Sequence, residues 1–284
     1  MGLLLSGNAY ALKISHKVGD ILENEVAIGK SNKFPLPPGK FEVGVIHQKK
    51  EFNDMGLYQY DENGVVRWAV YVMATGTTQW EYWNPPKWCK RTNVYFIKKK
   101  IANKKYACWM VNHSRSDIGA NTGFWKEVRD YEIATSMKNP DIFVFSLNNY
   151  SNKSKLYEWS YYYNPELDGI PKPKSLEWDT NEFHMQKVMN YPKHEAFLKK
   201  FISISAELRV RFNQLNKIKG GTALDASTYI TQASINTESG SENKNVTTGS
   251  SKDIVQQIKK LNELYESGAL TKEEFEKAKK KLLN

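Results

Sequence analysis

The chain has 284 residues, 40% of them hydrophobic, and 41 Lys and Arg against 31 Asp and Glu give a formal net charge of +10. That length holds one or two domains, and that composition buries a core, which excludes wholesale disorder. No apolar run reaches the ~18–20 residues of a membrane-spanning helix, and two cysteines are too few for a zinc ribbon or a disulfide-dense scaffold. The positive charge sits in short runs such as Lys98-Lys99-Lys100 and Lys279-Lys280-Lys281. Such runs read as a solvated basic surface that suits an anionic envelope surface better than a nucleic acid.

The first residues, Leu3-Leu4-Leu5-Ser6-Gly7-Asn8-Ala9-Tyr10-Ala11, read as the end of a secretory signal, a small apolar stretch leading into an A-x-A cleavage pattern. The positive region and the first half of the apolar segment are missing. Residues 1–11 are therefore expected to be a signal remnant, with Met1 an internal methionine, and the mature protein to be periplasmic or secreted. Export changes the meaning of Cys89 and Cys108. In an oxidising space paired thiols become disulfides, and closing a loop of about 20 residues is worth about 3 kcal/mol. In a reducing compartment the same two would be buried, inert thiols.

From Leu12 to Tyr163 the pattern is mostly that of strands. Lys40–His47 alternates, with Phe41, Val43 and Val45 expected on one side. Pro35-x-Pro37-Pro38-Gly39 reads as a stiff turn entering that strand. Asp61-Glu62-Asn63-Gly64 ends in Asn-Gly, a strong hairpin signal, between Leu57–Tyr60 and Val65–Ala74. Further strands are expected over Val94–Ile97, Tyr106–Val111, Ile142–Leu147 and Tyr157–Tyr163, the last two flanking a polar loop, Asn148–Lys155. Gly123–Thr135 reads as an amphipathic helix with Phe124, Val128 and Tyr131 on one face. Over Pro192–Ile218, Phe197, Phe201, Ile204, Leu208, Phe212, Leu215 and Ile218 recur at steps of three and four, a single apolar stripe. Lys199, Lys200, Glu207, Arg209 and Arg211 lie off it. Residues 12–218 are therefore expected to be α+β, an antiparallel β-rich domain with a long amphipathic helix packed on its sheet.

Gly220-Gly221 opens a stretch rich in Thr, Ser, Asn and Gly without period, so residues 219–251 are expected to be a disordered linker. Residues 252–284 then read as a helical hairpin. Ile254, Ile258, Leu261 and Tyr265 step along one face, Ser267-Gly268 ends the first helix, and Thr271-Lys272-Glu273-Glu274 is a capping box flanked by Leu270 and Phe275. So small a hairpin does not hold a core by itself. Its apolar positions Ile254, Ile258, Leu261, Leu264, Tyr265, Leu270, Phe275 and Leu282 are expected to meet another copy or a protein partner.

Leu261, Leu264, Gly268, Leu270, Thr271, Glu274, Phe275 and the Leu282-Leu283 end resemble the short C-terminal (SHOCT) module of bacterial proteins. That resemblance implies oligomerisation or contact-making and no catalytic residues. In the larger domain, Leu36-Pro37-Pro38-Gly39-Lys40-Phe41-Glu42-Val43, Cys108-Trp109-Met110-Val111-Asn112-His113 and Tyr163-Asn164-Pro165-Glu166 are similar to uncharacterised exported proteobacterial proteins. This likeness implies export and the disulfide, and no activity.

No HExxH, GxSxG, P-loop or GxGxxG is present. No catalytic residue, cofactor or metal ligand is assigned, and no carboxylate pair stands out. His113, five residues after Cys108, suggests a Cys–His nucleophile pair, which the disulfide would disarm. Trp80, Trp83 and Trp88, beside Lys87, Lys90 and Arg91, read either as rings for ligand stacking or as sheet core. The expectation is an exported binding or structural unit of the envelope with an assembly hairpin. An envelope hydrolase acting on glycans or lipids, marked by a Trp-rich cleft with converging carboxylates, is one alternative. A basic nucleic-acid binder is the other.

Overall fold

Strand patterns closed by tight turns reverse the chain, so they build antiparallel ladders. The computed structural model describes residues 12–49, 52–76, 86–102, 105–117, 122–152 and 155–219. The expected signal remnant, residues 220–251 of the expected linker, the hairpin with every position assigned to assembly, and Trp80 and Trp83 lie outside them.

Eight strands form one antiparallel sheet: β1 (Ile21–Ile28), β2 (Asn32–Gln48), β3 (Asn53–Tyr60), β4 (Val66–Gly76), β5 (Phe96–Ala102), β6 (Lys105–Arg115), β7 (Ile142–Ser151) and β8 (Lys155–Tyr163). Their order is β1-β2-β3-β4-β8-β7-β6-β5, two four-stranded meanders that meet at β4 and β8. Helix α1 (Gly123–Ala134) joins β6 to β7, and α2 (Pro192–Leu215) follows β8. The domain is α+β. The β3–β4 turn is held as its sequence implies: the Asn63 and Val65 amides both donate to Asp61 Oδ1 at 2.9 Å, and Gly64 takes φ +75°.

Two readings of β2 are corrected. Phe41 and Val43 face α2, but Val45 packs on the opposite face, because the β2–β3 register shifts between Val43 and Val45. One extra residue in a strand reverses the alternation beyond it. The extra residue is Gly44, where a Cβ would stand 2.4 Å from Tyr131 Cε1 and 2.7 Å from Tyr58. Pro35–Gly39 is strand rather than turn. Pairing of β2 with β3 begins only at Glu42, so the prolines lie where β2 has no neighbour on that side. The expected loop at Asn148 is also strand: β7 runs on to Ser151, and Asn148, Asn149 and Ser151 are buried.

The two helices cover the sheet unequally. At 1.5 Å per residue the 24 residues of α2 reach about 36 Å, and the helix follows β8, with Phe197 and Phe201 against Tyr163 and Phe212 against Tyr157 and Trp159. Beneath it Phe34, Trp68, Trp109, Tyr157, Trp159, Tyr161 and Tyr163 form one buried layer with Phe197, Phe201 and Phe212. Three of the polar ring tips find partners inside it, while the Trp159 indole N–H has none among the described residues. Tyr161 donates to Pro35 O at 2.7 Å, Tyr157 to Asn32 Oδ1 at 2.8 Å, and Trp109 to Ser205 Oγ at 2.7 Å. Arg209, expected off the apolar stripe, is wholly buried there, its guanidinium 4.8 Å above the Trp159 ring and donating to Asn149 O at 3.2 Å. Stacking on an aromatic face is what lets an arginine enter such a layer. The 12 residues of α1 reach only about 18 Å, and among the described residues no second α-helix lies on that face.

Candidate functional site

Helix α1 is pinned over β2–β4 by its polar side chains. Tyr58 and Tyr71 both donate to Glu132 Oε1 at 3.2 Å, Asn139 donates to Glu132 Oε2 at 2.9 Å, and Tyr131 donates to Glu42 Oε1 at 3.0 Å. Glu127 of α1 pairs with His47 of β2 at 2.8 Å. Burial raises the Glu132 carboxyl above its ordinary range despite these three donors, and raises the Tyr58 and Tyr71 hydroxyls strongly.

Beside α1 a cleft opens on the sheet, in two chambers of about 420 and about 280 Å³ that share Tyr71, Trp125, Leu147 and Tyr162 as walls. Trp125 is 42% exposed and meets Tyr71 edge-on at 4.8 Å. Tyr162 meets Tyr71 edge-on at 5.4 Å and stacks on Phe145 at 5.1 Å. The larger chamber carries Arg91, Arg115 and Arg129; the smaller carries Asp54, Glu158, Phe124 and Trp88.

The carboxylates are brought together by register. Cross-strand partners share a face of the sheet. The pairs His47–Asp54, Asp54–Met73, Met73–Glu158, Glu158–Asn149 and Asn149–Cys108 therefore set these side chains in one row over six strands. Burial pushes the Asp54 carboxyl up to about 6, with His47 opposing and Glu127 adding to the rise. Burial also raises Glu158; Asn149, donating to its Oε1 at 3.1 Å, pulls the other way, and the Asp54 charge adds to the rise.

Cys89 and Cys108 are bonded, with Cα atoms 6.1 Å apart. The bridge ties the 3-10 turn Lys87–Lys90, and with it Trp88, to β6 at the end of this row. Trp88 is thus held at the cleft wall, whereas the rings Tyr157, Trp159, Tyr161 and Tyr163 of β8 belong to the α2 core. The Cys108–His113 pairing does not form. Cys108 is bridged, and residues five apart on a strand point to opposite faces. On the α2 face His113 lies between Tyr95 (5.5 Å) and Trp178 (4.4 Å). The Tyr95 hydroxyl gives its proton to Phe183 O, so His113 Nδ1–H donates to Tyr95 Oη at 2.5 Å, leaving a neutral ring. Burial holds its pKa down at about 3.

A wider groove of about 760 Å³ follows the start of α2, but its Lys199 pairs with Glu195 and its Lys200 with Asp168. It is an open surface in which both carboxylates are paired with lysines, Lys193 being the further charge, and the smaller aromatic cleft is the candidate site. Among the described residues no cluster of metal ligands occurs and no helix is long and apolar enough to cross a membrane. Asp54, Glu158, Trp125 and the three arginines carry no motif in the sequence; only the strand pairing and the placement of α1 assemble them.

Residues 256–283 match the family described as SHOCT, the short C-terminal domain. The chain thus carries this small module at its C-terminus, as its capping box and leucines imply. Among curated proteins and among solved structures, none matches the chain.

Proposed function

We propose that this is an exported envelope protein whose α+β domain binds a small ring-bearing molecule in the cleft beside α1, and whose SHOCT module joins it to further copies or to a partner protein. The observation that carries the binding half is the aromatic wall of the cleft, with Trp125 exposed and Tyr71 buried behind it. Trp125, Tyr71 and Tyr162 stand around open space beside two half-buried carboxylates, an apolar hollow with a few convergent polar groups. Export is supported by the Leu3–Ala11 segment and by the Cys89–Cys108 bridge, which persists in an oxidising compartment.

Titration with 1-anilinonaphthalene-8-sulfonate, a fluorescent aryl sulfonate, tests the cleft. Saturable binding by the native protein, lost in Trp125→Ala, is expected. Binding that is absent, or unchanged in Trp125→Ala, defeats the reading. Light scattering of the full chain, of a chain ending at Ser251 and of Phe275→Ala tests assembly, with an oligomer and two monomers expected. Three monomers defeat self-assembly. N-terminal sequencing of the mature protein is expected to begin at Leu12; retention of residues 1–11 counts against export.

A second reading, hydrolysis of a glycan, draws on the carboxylates alone. Asp54 and Glu158 share a row with one strand between them, a backbone separation of about 10 Å. The acid and base of inverting glycosidases stand about 6.5–9.5 Å apart. On this reading Glu158→Gln abolishes turnover of an oligosaccharide while leaving its binding intact.

A further inference from the structure

The cleft is charged unequally along its length. Taking it as a ligand site, we infer that its ligand is an ampholyte: an anionic group at the arginine end, a ring against Trp125 and Tyr162, and a protonated amine at the Asp54–Glu158 end.

At the first end stand Arg91, Arg115 and Arg129 with two carboxylates, Asp117 and Glu132. Both carboxylates are already engaged. Asp117 is gripped by Arg115 through two hydrogen bonds, at 2.8 and 2.5 Å, and Glu132 accepts from Tyr58, Tyr71 and Asn139. A cationic ligand group thus finds few free acceptors there; Arg115 is spent on Asp117, and the three guanidinium groups still exceed the two carboxylates by one positive charge. Planar, multiply donating guanidinium suits phosphate or carboxylate.

The second end has the opposite sign. Asp54 and Glu158 line it, and among the described residues no lysine or arginine does. The imidazole of the row, His47, is taken up by Glu127 at 2.8 Å. Lys49 acts on Asp54 only as a weaker influence than burial. Glu158 has Asn149 as a donor to Oε1, but a wholly apolar ligand would still take both carboxylates out of water without a counter-charge, which is costly. A purely anionic one would meet them head-on. An amine satisfies both, and the aromatic rings Trp88, Trp125 and Phe124 at this end add favourable faces for a cation. Because the chambers share the Tyr71–Trp125–Tyr162 wall, a single ring laid on it directs its two substituents into opposite chambers.

Tyramine phosphate carries a phosphate, a ring and an amine in this order; phenyl phosphate lacks the amine and tyramine lacks the phosphate. Calorimetric titration of the full chain with all three is expected to rank tyramine phosphate at least about tenfold tighter than either parent, the effect of one charge-assisted contact. Arg91→Met is expected to weaken tyramine phosphate and phenyl phosphate and spare tyramine. Glu158→Gln, with Asp54→Asn as a second variant should the first not fold, is expected to weaken tyramine phosphate and tyramine and spare phenyl phosphate. Equal affinities for the three, or absence of binding while 1-anilinonaphthalene-8-sulfonate still binds in a Trp125-dependent way, overturns the ampholyte and leaves the cleft standing. If Trp125→Ala alters binding of no probe, both fall.

Discussion

The two faces of the sheet are built from the same residue types and finished differently. Under α2 the rings of four β8 positions meet helix side chains at close range, as where Trp159 stacks on Phe212 with centroids 3.8 Å apart. Beside α1 the rings of Tyr71 and Tyr162 face a hollow. The covering layer differs. The 24-residue α2 lies along β8 from Tyr163 to Tyr157, whereas the 12-residue α1 leaves Tyr162 beside open space, so aromatic density alone does not tell core from cleft. What decides is whether a second layer reaches the ring.

The sharpest way to break this contrast is to cut one ring from the covered face. Phe212→Ala is expected to cost about 3–5 kcal/mol, the usual consequence of emptying a buried aromatic site, measured by urea denaturation. A cost near zero would mean that α2 is not the lid of a packed core. Next in size is the bridge. Cys89→Ser/Cys108→Ser is expected to lose about 2–4 kcal/mol. It should also release Trp88 and weaken sulfonate binding at the cleft. Stability lost without any change in binding would mean that Trp88 takes no part in the site.

pH separates the faces by sign. On the covered face His113 has a folded-state pKa of about 3, below its ordinary 6.5, so the unfolded chain takes up the proton first. Its contribution is intact above pH 6.5 and drains away as pH falls toward 3, by about 1.4 kcal/mol per unit at most. In the cleft Asp54 has a folded-state pKa of about 6, above its ordinary 3.8. Its contribution is intact below pH 3.8 and lost as pH rises through 6. Asp54→Asn is therefore expected to stabilise the protein at pH 7 by about 1–2 kcal/mol, and His113→Asn to flatten the acid limb of the stability profile. Denaturation midpoints at pH 4.5, 5.5 and 7 check both. The smallest expected effect on folding is at the cleft wall: Trp125→Ala should move stability by no more than about 0.5 kcal/mol, as at other exposed sites, while abolishing probe binding. A large destabilisation would make Trp125 part of the core.

Much of the sheet was legible because its turns and alternations are local. Asn63-Gly64 announces the β3–β4 hairpin, and the Phe197–Phe212 stripe announces α2. The site was not legible, for two physical reasons. The bulge at Gly44 reverses which side of β2 faces which layer, and no pattern of hydrophobicity marks it. The row His47–Asp54–Met73–Glu158–Asn149–Cys108 draws on five strand pairings, one of them, Met73 with Glu158, between positions 85 residues apart, so its members look scattered until the register is known. Trp88 was visible as a ring but not as a wall, since the bridge to Cys108 decides where it stands.

The account rests on tryptophans of one chain having two fates. Indole N–H resonances of ¹⁵N-labelled protein report them individually. On titration with tyramine phosphate, the signals of Trp88 and Trp125 are expected to move, while those of Trp68 and Trp109 under α2 stay in place. Movement of the second set, or stillness of the first, would contradict the division of the sheet into a packed face and a binding face.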